Sequence, residues 1–321
     1  MDAMLRLLFP GDPREFIREA NLNLRYSFLT RDLYPELFRA FVEAFSDYAV
    51  DMSYMKEADL LNRWIKNRVD FESSVGAFDG DKLVGFTVVG IDDWAGEPAA
   101  FDAGTGVIRG FRGFGVAPTM FEMILRRLNE KGIGKFVLEV LQENKPAVRT
   151  YKKAGFKVTR EFDCFRLDLS KALWAAPPSG GELIIEPVEK KLLPLFEAFA
   201  DWRPSWECGF SAIDRIPDDV FLYGARRGGE WVGFIAYYPG LNWVMNPVVK
   251  PSFRRQGIAT RLLARAVQNL PDQIAFVKAI NIEHTDQASS AWMNKVGFEV
   301  YTRQYEMALD VREGLNIFAR L

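Results

Sequence analysis

Two short loops have the residue types to hold an anion. Residues 112–117 read Arg112-Gly113-Phe114-Gly115-Val116-Ala117, and residues 254–259 read Arg254-Arg255-Gln256-Gly257-Ile258-Ala259. Each lies between an extended apolar run and a helical pattern, where unpaired main-chain N–H groups and the helix dipole favour a phosphate. Arg261 and Arg265 follow the second loop one turn apart, so two successive phosphates suit such a nest. Neither loop is a Walker loop, which ends in Gly-Lys followed by Ser or Thr. Gly104-Thr105-Gly106 opens like a dinucleotide fingerprint, but Arg109 stands where its last glycine belongs.

Scarce residues restrict other chemistry. The 321 residues include one histidine, His284, and two cysteines, Cys164 and Cys208, outside any CxxC. A zinc ribbon, a disulfide framework and a His-rich metal site are thereby excluded, and no metal is expected. Lys plus Arg number 41 and Asp plus Glu 43, so the net charge of −2 supplies no global field for nucleic acid or anionic lipid. Apolar residues at 49% and charged ones at 26% give a globular composition. No apolar run reaches bilayer length, and the start Met1-Asp2-Ala3-Met4-Leu5-Arg6 lacks the form of a signal peptide. The sequence reads as soluble and cytoplasmic, with neither nucleic acid nor membrane as partner.

The elements that position these loops come twice. Gly115 and Gly257 are 142 residues apart, and so are Gly155 and Gly297 in Ala154-Gly155-Phe156 and Val296-Gly297-Phe298. Upstream, Gly85 and Gly233 are 148 apart, placing six extra residues of the first half near 92–98, in a longer hairpin connection. Residues 175–181, with two prolines and two glycines, suit a linker between domains at 1–174 and 182–321. In the first half, strands are expected at 25–29, 74–78, 83–91, 99–107 and 136–141. Helices are expected from Leu33 to Phe45, at 119–130 and at 146–153, and a hairpin at 156–169. The second half repeats this order from Leu183. A glycine loop and helix inside a mostly antiparallel run imply an α/β chain with a mixed sheet and helices on both faces, not a doubly wound fold.

With these residues in view, the chain resembles a tandem member of the GNAT superfamily of acetyl-CoA-dependent N-acetyltransferases. Each half has that family's loop pattern, Arg or Gln, two residues, Gly, one residue, then Gly or Ala, as Arg112, Gly115, Ala117 and Arg254, Gly257, Ala259. The first half adds Asn144-x-x-Ala147-x-x-x-Tyr151-x-x-x-Gly155-Phe156, and the second keeps Val249-x-Pro251, where the first has Arg109 for the proline. The resemblance implies two domains, each with a V-shaped opening between its fourth and fifth strands. Acetyl-CoA, as cosubstrate, would lie along the fourth strand, which would end near Val107 and Val249. Its pyrophosphate would rest on N–H groups of residues 112–117 and 254–259. An amine would attack the thioester directly, a main-chain N–H would polarise the carbonyl, and a tyrosine would protonate the thiolate.

Position by position, the resemblance makes Tyr151 that tyrosine and Asn144 the residue that orients the cofactor arm. In the second half Asn144 becomes Asp286 and Tyr151 becomes Met293, which cannot donate a proton. The first half is therefore expected to be catalytic, although Tyr301 and Tyr305 lie near in sequence and the second loop is richer in cations. Asp102 and Glu139 are candidate bases acting through water, or surface carboxylates. His284 is a base or a hydrogen-bonded strand end. Asp47, Tyr48, Met52 and Tyr54, with Trp202 and Trp206 in the second half, form an acceptor pocket or aromatic core. The acceptor is a small-molecule or peptide amine. The alternative is a non-catalytic acyl-CoA-binding or regulatory module, whose halves imitate a dimer in a monomer or form part of a homodimer.

Overall fold

The computed structural model describes residues 23–47, 55–174, 182–216, 220–271 and 273–320; the expected linker 175–181 lies outside them, as do Tyr48, Met52 and Tyr54. The first half runs β1 (Arg25–Phe28), α1 (Tyr34–Ala44), α2 (Glu57–Lys66), β2 (Val75–Asp79), β3 (Lys82–Trp94), β4 (Glu97–Val107), α3 (Val116–Glu130), β5 (Lys135–Leu141), α4 (Lys145–Lys153) and β6 (Lys157–Asp168). The second runs β7 (Ile184–Pro187), α5 (Leu193–Glu197), α6 (Phe210–Arg215), β8 (Phe221–Arg227), β9 (Glu230–Tyr238), β10 (Trp243–Val249), α7 (Ile258–Val267), β11 (Phe276–Glu283), α8 (Gln287–Val296), β12 (Glu299–Asp310) and α9 (Val311–Phe318).

Local sequence accounts for the boundaries that matter to the loops. α3 buries Val116, Met120, Phe121, Ile124, Leu125 and Leu128, a stripe at helical spacing. It stops at Gly132, whose φ of 71° admits the left-handed turn that lets Ile133 N–H reach the Leu128 carbonyl. Asn144 caps α4 by accepting from Ala147 N–H at 3.2 Å, and Asp286 caps α8 by accepting from Ala288 and Ser289 N–H.

All described strands join one sheet in the order β1-β2-β3-β4-β5-β12-β6-β11-β10-β9-β8-β7. Only β4–β5 and β10–β11 are parallel, and both pairs are brief. β4 meets β5 over Ala99, Ala100 and Phe101, and β10 meets β11 at Trp243 and Lys278. Beyond these contacts no pairing joins the two strands, so each half opens into the expected V. A register shift in each fourth strand accompanies the splay, beside Asp102 in β4 and between Met245 and Val248 in β10.

The expected hairpin at 156–169 is not formed. β6 is a single strand, antiparallel to β12 on one side and to β11 on the other. Residues 157–168 contain neither Gly nor Pro, and both edges of the strand find partners in the second half. The halves have thus exchanged their last strands: β12 lies against β5, and β6 against β11. Two domains read along the chain are one sheet in space. A side-chain contact reinforces the join, because Trp206 of the second half stacks on Phe101 of β4 with ring centroids 5.1 Å apart. Such a pair contributes about 1 kcal/mol beyond its area burial.

Candidate active site

The first loop leaves β4 at Val107 and enters α3 through Gly113 and Gly115, with φ of 85° and 78°. Gly115 caps α3 with no side-chain bond, so the N–H groups of Val116 and Ala117 have no intrahelical partner. An added Cβ at either glycine would meet nothing within 4 Å. Backbone conformation, not crowding, therefore requires glycine here, and the space before the N–H groups is open to a phosphate. The second loop follows the same path with Arg255 and Gly257 at φ of 64° and 73°. Its helix opens with Ile258, Ala259 and Thr260, whereas Pro118 removes the third donor of the first nest.

The loop arginines face the protein. Arg112 donates from Nε to the Val107 carbonyl at 2.8 Å, from its guanidinium to both Asp47 oxygens at 2.8 Å, and to the Ala44 carbonyl at 2.7 Å. Arg254 repeats this with the Val249 carbonyl, Asp201 and the Phe199 carbonyl. Both arginines tie the loop to the end of the preceding strand and to the segment after the first helix, which leaves main-chain N–H groups for the anion. Asp47 thus braces the loop through Arg112 while also lining the first cavity. Gln256 accepts from Arg227.

A cavity of about 1280 Å³ lies in the first V and one of about 410 Å³ in the second. Val107, Arg112, Gly113, Gly115, Val116, Ala117 and Asn144 line the first; Val249, Arg254, Arg255, Gly257, Ile258 and Ala259 line the second. Phe114 and Gln256 are not among the lining residues of either.

Tyr151, Asp102 and Glu139 all line the first cavity. The Tyr151 ring is set edge-on between Phe121 and Phe156, at 5.8 Å and 5.7 Å, so the core holds the ring and directs its hydroxyl. That hydroxyl donates to Asp102 Oδ2 at 3.3 Å. Asp102 also accepts from the Thr105 hydroxyl at 2.7 Å and from Gly104 N–H at 3.0 Å. It is buried, and burial lifts its carboxyl to about 6 against these three hydrogen bonds. Glu139 Oε2 accepts from Asn281 Nδ2 at 2.5 Å. Burial, with repulsion from Glu207 and Glu306, lifts Glu139 to about 7.

Beside Glu139 stands a buried ionic cluster that sequence reading missed. Glu207 accepts from Arg63 at 2.7 Å, Lys66 at 2.7 Å and Asn67 at 3.0 Å. Burial opposes its charge, yet Arg63 and Lys66 hold Glu207 down at about 2. No local pattern announces these residues, because Lys66 and Glu207 meet only when the halves pack.

The second cavity lacks the first one's titratable groups. At the same separation of 142, Asp102 corresponds to Val244, Glu139 to Asn281 and Tyr151 to Met293. Tyr301 lines the first cavity, not the second. Trp202 lines the second and donates to Asp286 at 2.8 Å, whereas Trp206 belongs to the core between halves. His284 is exposed and its Nδ1 sits 2.8 Å from Asp163. Among the described residues no helix is long and apolar enough to cross a membrane.

Known proteins resemble this chain in sequence and in fold. Residues 30–156 and 185–298 each match the Acetyltransferase (GNAT) family. A stretch of 105 residues is 32% identical to a mycothiol acetyltransferase of Catenulispora acidiphila, spanning 32% of this chain and 33%, about a third, of that protein. A tandem GNAT protein from the clavulanic acid biosynthesis pathway superimposes with a TM-score of 0.69 at 16% identity, over 90% of this chain and 99% of that one. A GCN5-related N-acetyltransferase from Sphaerobacter thermophilus does so with a TM-score of 0.65 at 14% identity, over 90% and 96%. At such identities the structural likeness is one of fold. With the family matched in both halves around both loops, the chain belongs to the GNAT acetyltransferase family.

Proposed function

We propose that the chain transfers the acetyl group of acetyl-CoA to an amine, that the first half performs the transfer, and that the second retains a cleft without catalysis. The observation that carries this reading is the asymmetry of the clefts. Tyr151, Asp102 and Glu139 converge on the first cavity, and Met293, Val244 and Asn281 occupy their places in the second. In this reading the free N–H groups of residues 113–117 receive the diphosphate, and the edge of β4 from Asp102 to Val107, unpaired with β5, takes the pantetheine arm. Glu139, poised near neutrality, removes a proton from the attacking amine. The Tyr151 hydroxyl delivers a proton to the departing sulfur.

Asp102 then positions Tyr151 and is not a base, since its oxygens are engaged by Thr105, Gly104 and Tyr151. Asn144 uses its side-chain oxygen to cap α4, so its part in orienting the cofactor arm falls to its amide nitrogen. The acceptor is a small-molecule or peptide amine, and the likeness to an acetyltransferase over part of the chain agrees with acetyl transfer.

The second reading, a binding-only module, applies best to the second half, whose nest is intact while its proton-transfer groups are gone. Titrating CoA calorimetrically into Gly115→Val and Gly257→Val assigns the sites, because each valine would have to adopt a left-handed φ. Acetyl-CoA-dependent thiol release with a panel of amines tests the transfer. Release abolished by Gly115→Val and retained by Gly257→Val is expected. Thiol release lost only in Gly257→Val would reverse the assignment of halves.

A further inference from the structure

On the reading that Glu139 is the base, we propose that Asn281 of the second half is its positioning residue. The two side chains occupy equivalent places, 142 residues apart, on β5 and β11. The half that has asparagine in place of the carboxylate supplies an amide to hold the carboxylate of the other.

Three features support this assignment. Asn281 is fully buried with φ of 56°, inside the register shift of β11 between Ala279 and Ile282. Asparagine is among the few non-glycine residues that tolerate this region, and there β11 departs from regular pairing with β6. The amide orientation follows from its partners. Gln304 Nε2 donates to Asn281 Oδ1 at 2.9 Å, so Nδ2 is the end that meets Glu139 at 2.5 Å and Ser205 Oγ at 3.0 Å. Finally, the bond is a donor to a carboxylate, which favours its ionised form and fixes its rotamer.

The charges around Glu139 come from every packed element. Glu306 faces it across the β5–β12 ladder but is engaged by Arg160 and Thr159 of β6. Glu207 approaches from the segment before α6, with Lys66 and Arg63 from α2. The Cys164 and Cys208 thiols lie near, both pushed up by burial and so neutral. In this surrounding of acids, Asn281 is a neutral donor to Glu139 beside the Ser205 hydroxyl, which also favours its charge.

Two variants separate positioning from folding. Asn281→Gly keeps the left-handed backbone and removes the amide; Asn281→Asp keeps size and backbone tolerance and replaces the donor with a second acid. The readout is the titration of the Glu139 carboxyl carbon in ¹³C-glutamate-labelled protein, assigned with Glu139→Gln, beside the pH dependence of kcat/KM. Both variants are expected to move the Glu139 midpoint and the lower limb of the rate profile to higher pH by about one unit, with CoA affinity within about twofold of wild type. A midpoint unmoved in both, with only reduced amplitude, makes Asn281 merely structural and overturns the proposal. Full activity in Glu139→Gln instead overturns the base reading beneath it, whatever the carbon titration gives.

Discussion

The Tyr151 hydroxyl and the Asp102 carboxylate meet at 3.3 Å where the first V begins to open, one presented by α4 and the other by the bulged stretch of β4, one residue past its last pair with β5. The bond fixes the hydroxyl relative to the strand edge proposed for the thioester. Tyr151→Phe is expected to lower kcat about 10²- to 10⁴-fold, the range of a lost general acid, with CoA affinity unchanged. Asp102→Asn keeps an acceptor and is expected to lose less than Asp102→Ala. Stopped-flow thiol release and calorimetry check both. Equal losses in the two Asp102 variants would remove its positioning role.

Glu139 predicts opposite pH trends for activity and stability. As the base it must be ionised, so kcat/KM should rise with pH through about 7. Its folded midpoint stands above the ordinary carboxylate value, so the native state binds the extra proton between the two. That contribution to stability is complete below about 4.5 and is lost as pH rises through about 7. Glu139→Gln should therefore abolish the rise in rate while flattening the loss of stability between pH 5 and 8, a difference on the order of 2 to 3 kcal/mol. Urea melts at the two pH values measure it.

The exchanged strands predict that neither half folds alone as a monomer. Residues 1–174 by themselves leave β6 without β11 and β12, and leave β5 with an open edge. Unpaired edges of this length promote aggregation or reciprocal exchange. Size-exclusion chromatography with light scattering should find the fragment dimeric or insoluble, and co-expression with residues 182–321 should restore one soluble 1:1 species. A cooperative melt from a monomeric fragment would show that the exchange is dispensable.

What the sequence revealed and what it hid divide along the range of the interactions involved. Gly113, Gly115 and Gly257, the stripe from Val116 to Leu128 and the cap at Asn144 are local devices, so spacing alone located the loops and their helices. Tyr151, which lines the first cavity, could be singled out because its motif is local, whereas its partner Asp102 came only as one of two carboxylates of undetermined face. The hairpin reading of 156–169 failed because strand identity is written locally but strand pairing is not: β6 takes both partners from residues more than a hundred positions away. Lys66, Glu207 and Asn281 stayed invisible for the same reason. For Trp206 the sequence left pocket and aromatic core open, and the Phe101 ring beneath it places it in the core.

The buried pair of Lys66 and Glu207 supports a prediction that joins stability to catalysis. Lys66 is fully buried, and its Nζ donates to the Glu207 carboxylate at 2.7 Å and to Asn67 Oδ1 at 3.1 Å. Lys66→Met leaves Glu207 with the Arg63 guanidinium and the Asn67 amide and should cost about 3 to 5 kcal/mol, the usual penalty for breaking a buried pair. Replacing both by methionine removes the uncompensated charge, so the double variant should be more stable than the sum of the single losses implies. A urea-melt double-mutant cycle gives that coupling. The same residues act on Glu139, since Glu207 raises its midpoint by repulsion and Lys66 lowers it. Glu207→Gln should thus shift the lower limb of the rate profile to lower pH, and Lys66→Met to higher pH. Shifts of one sign in both variants would mean that the cluster reaches the base through packing rather than through charge.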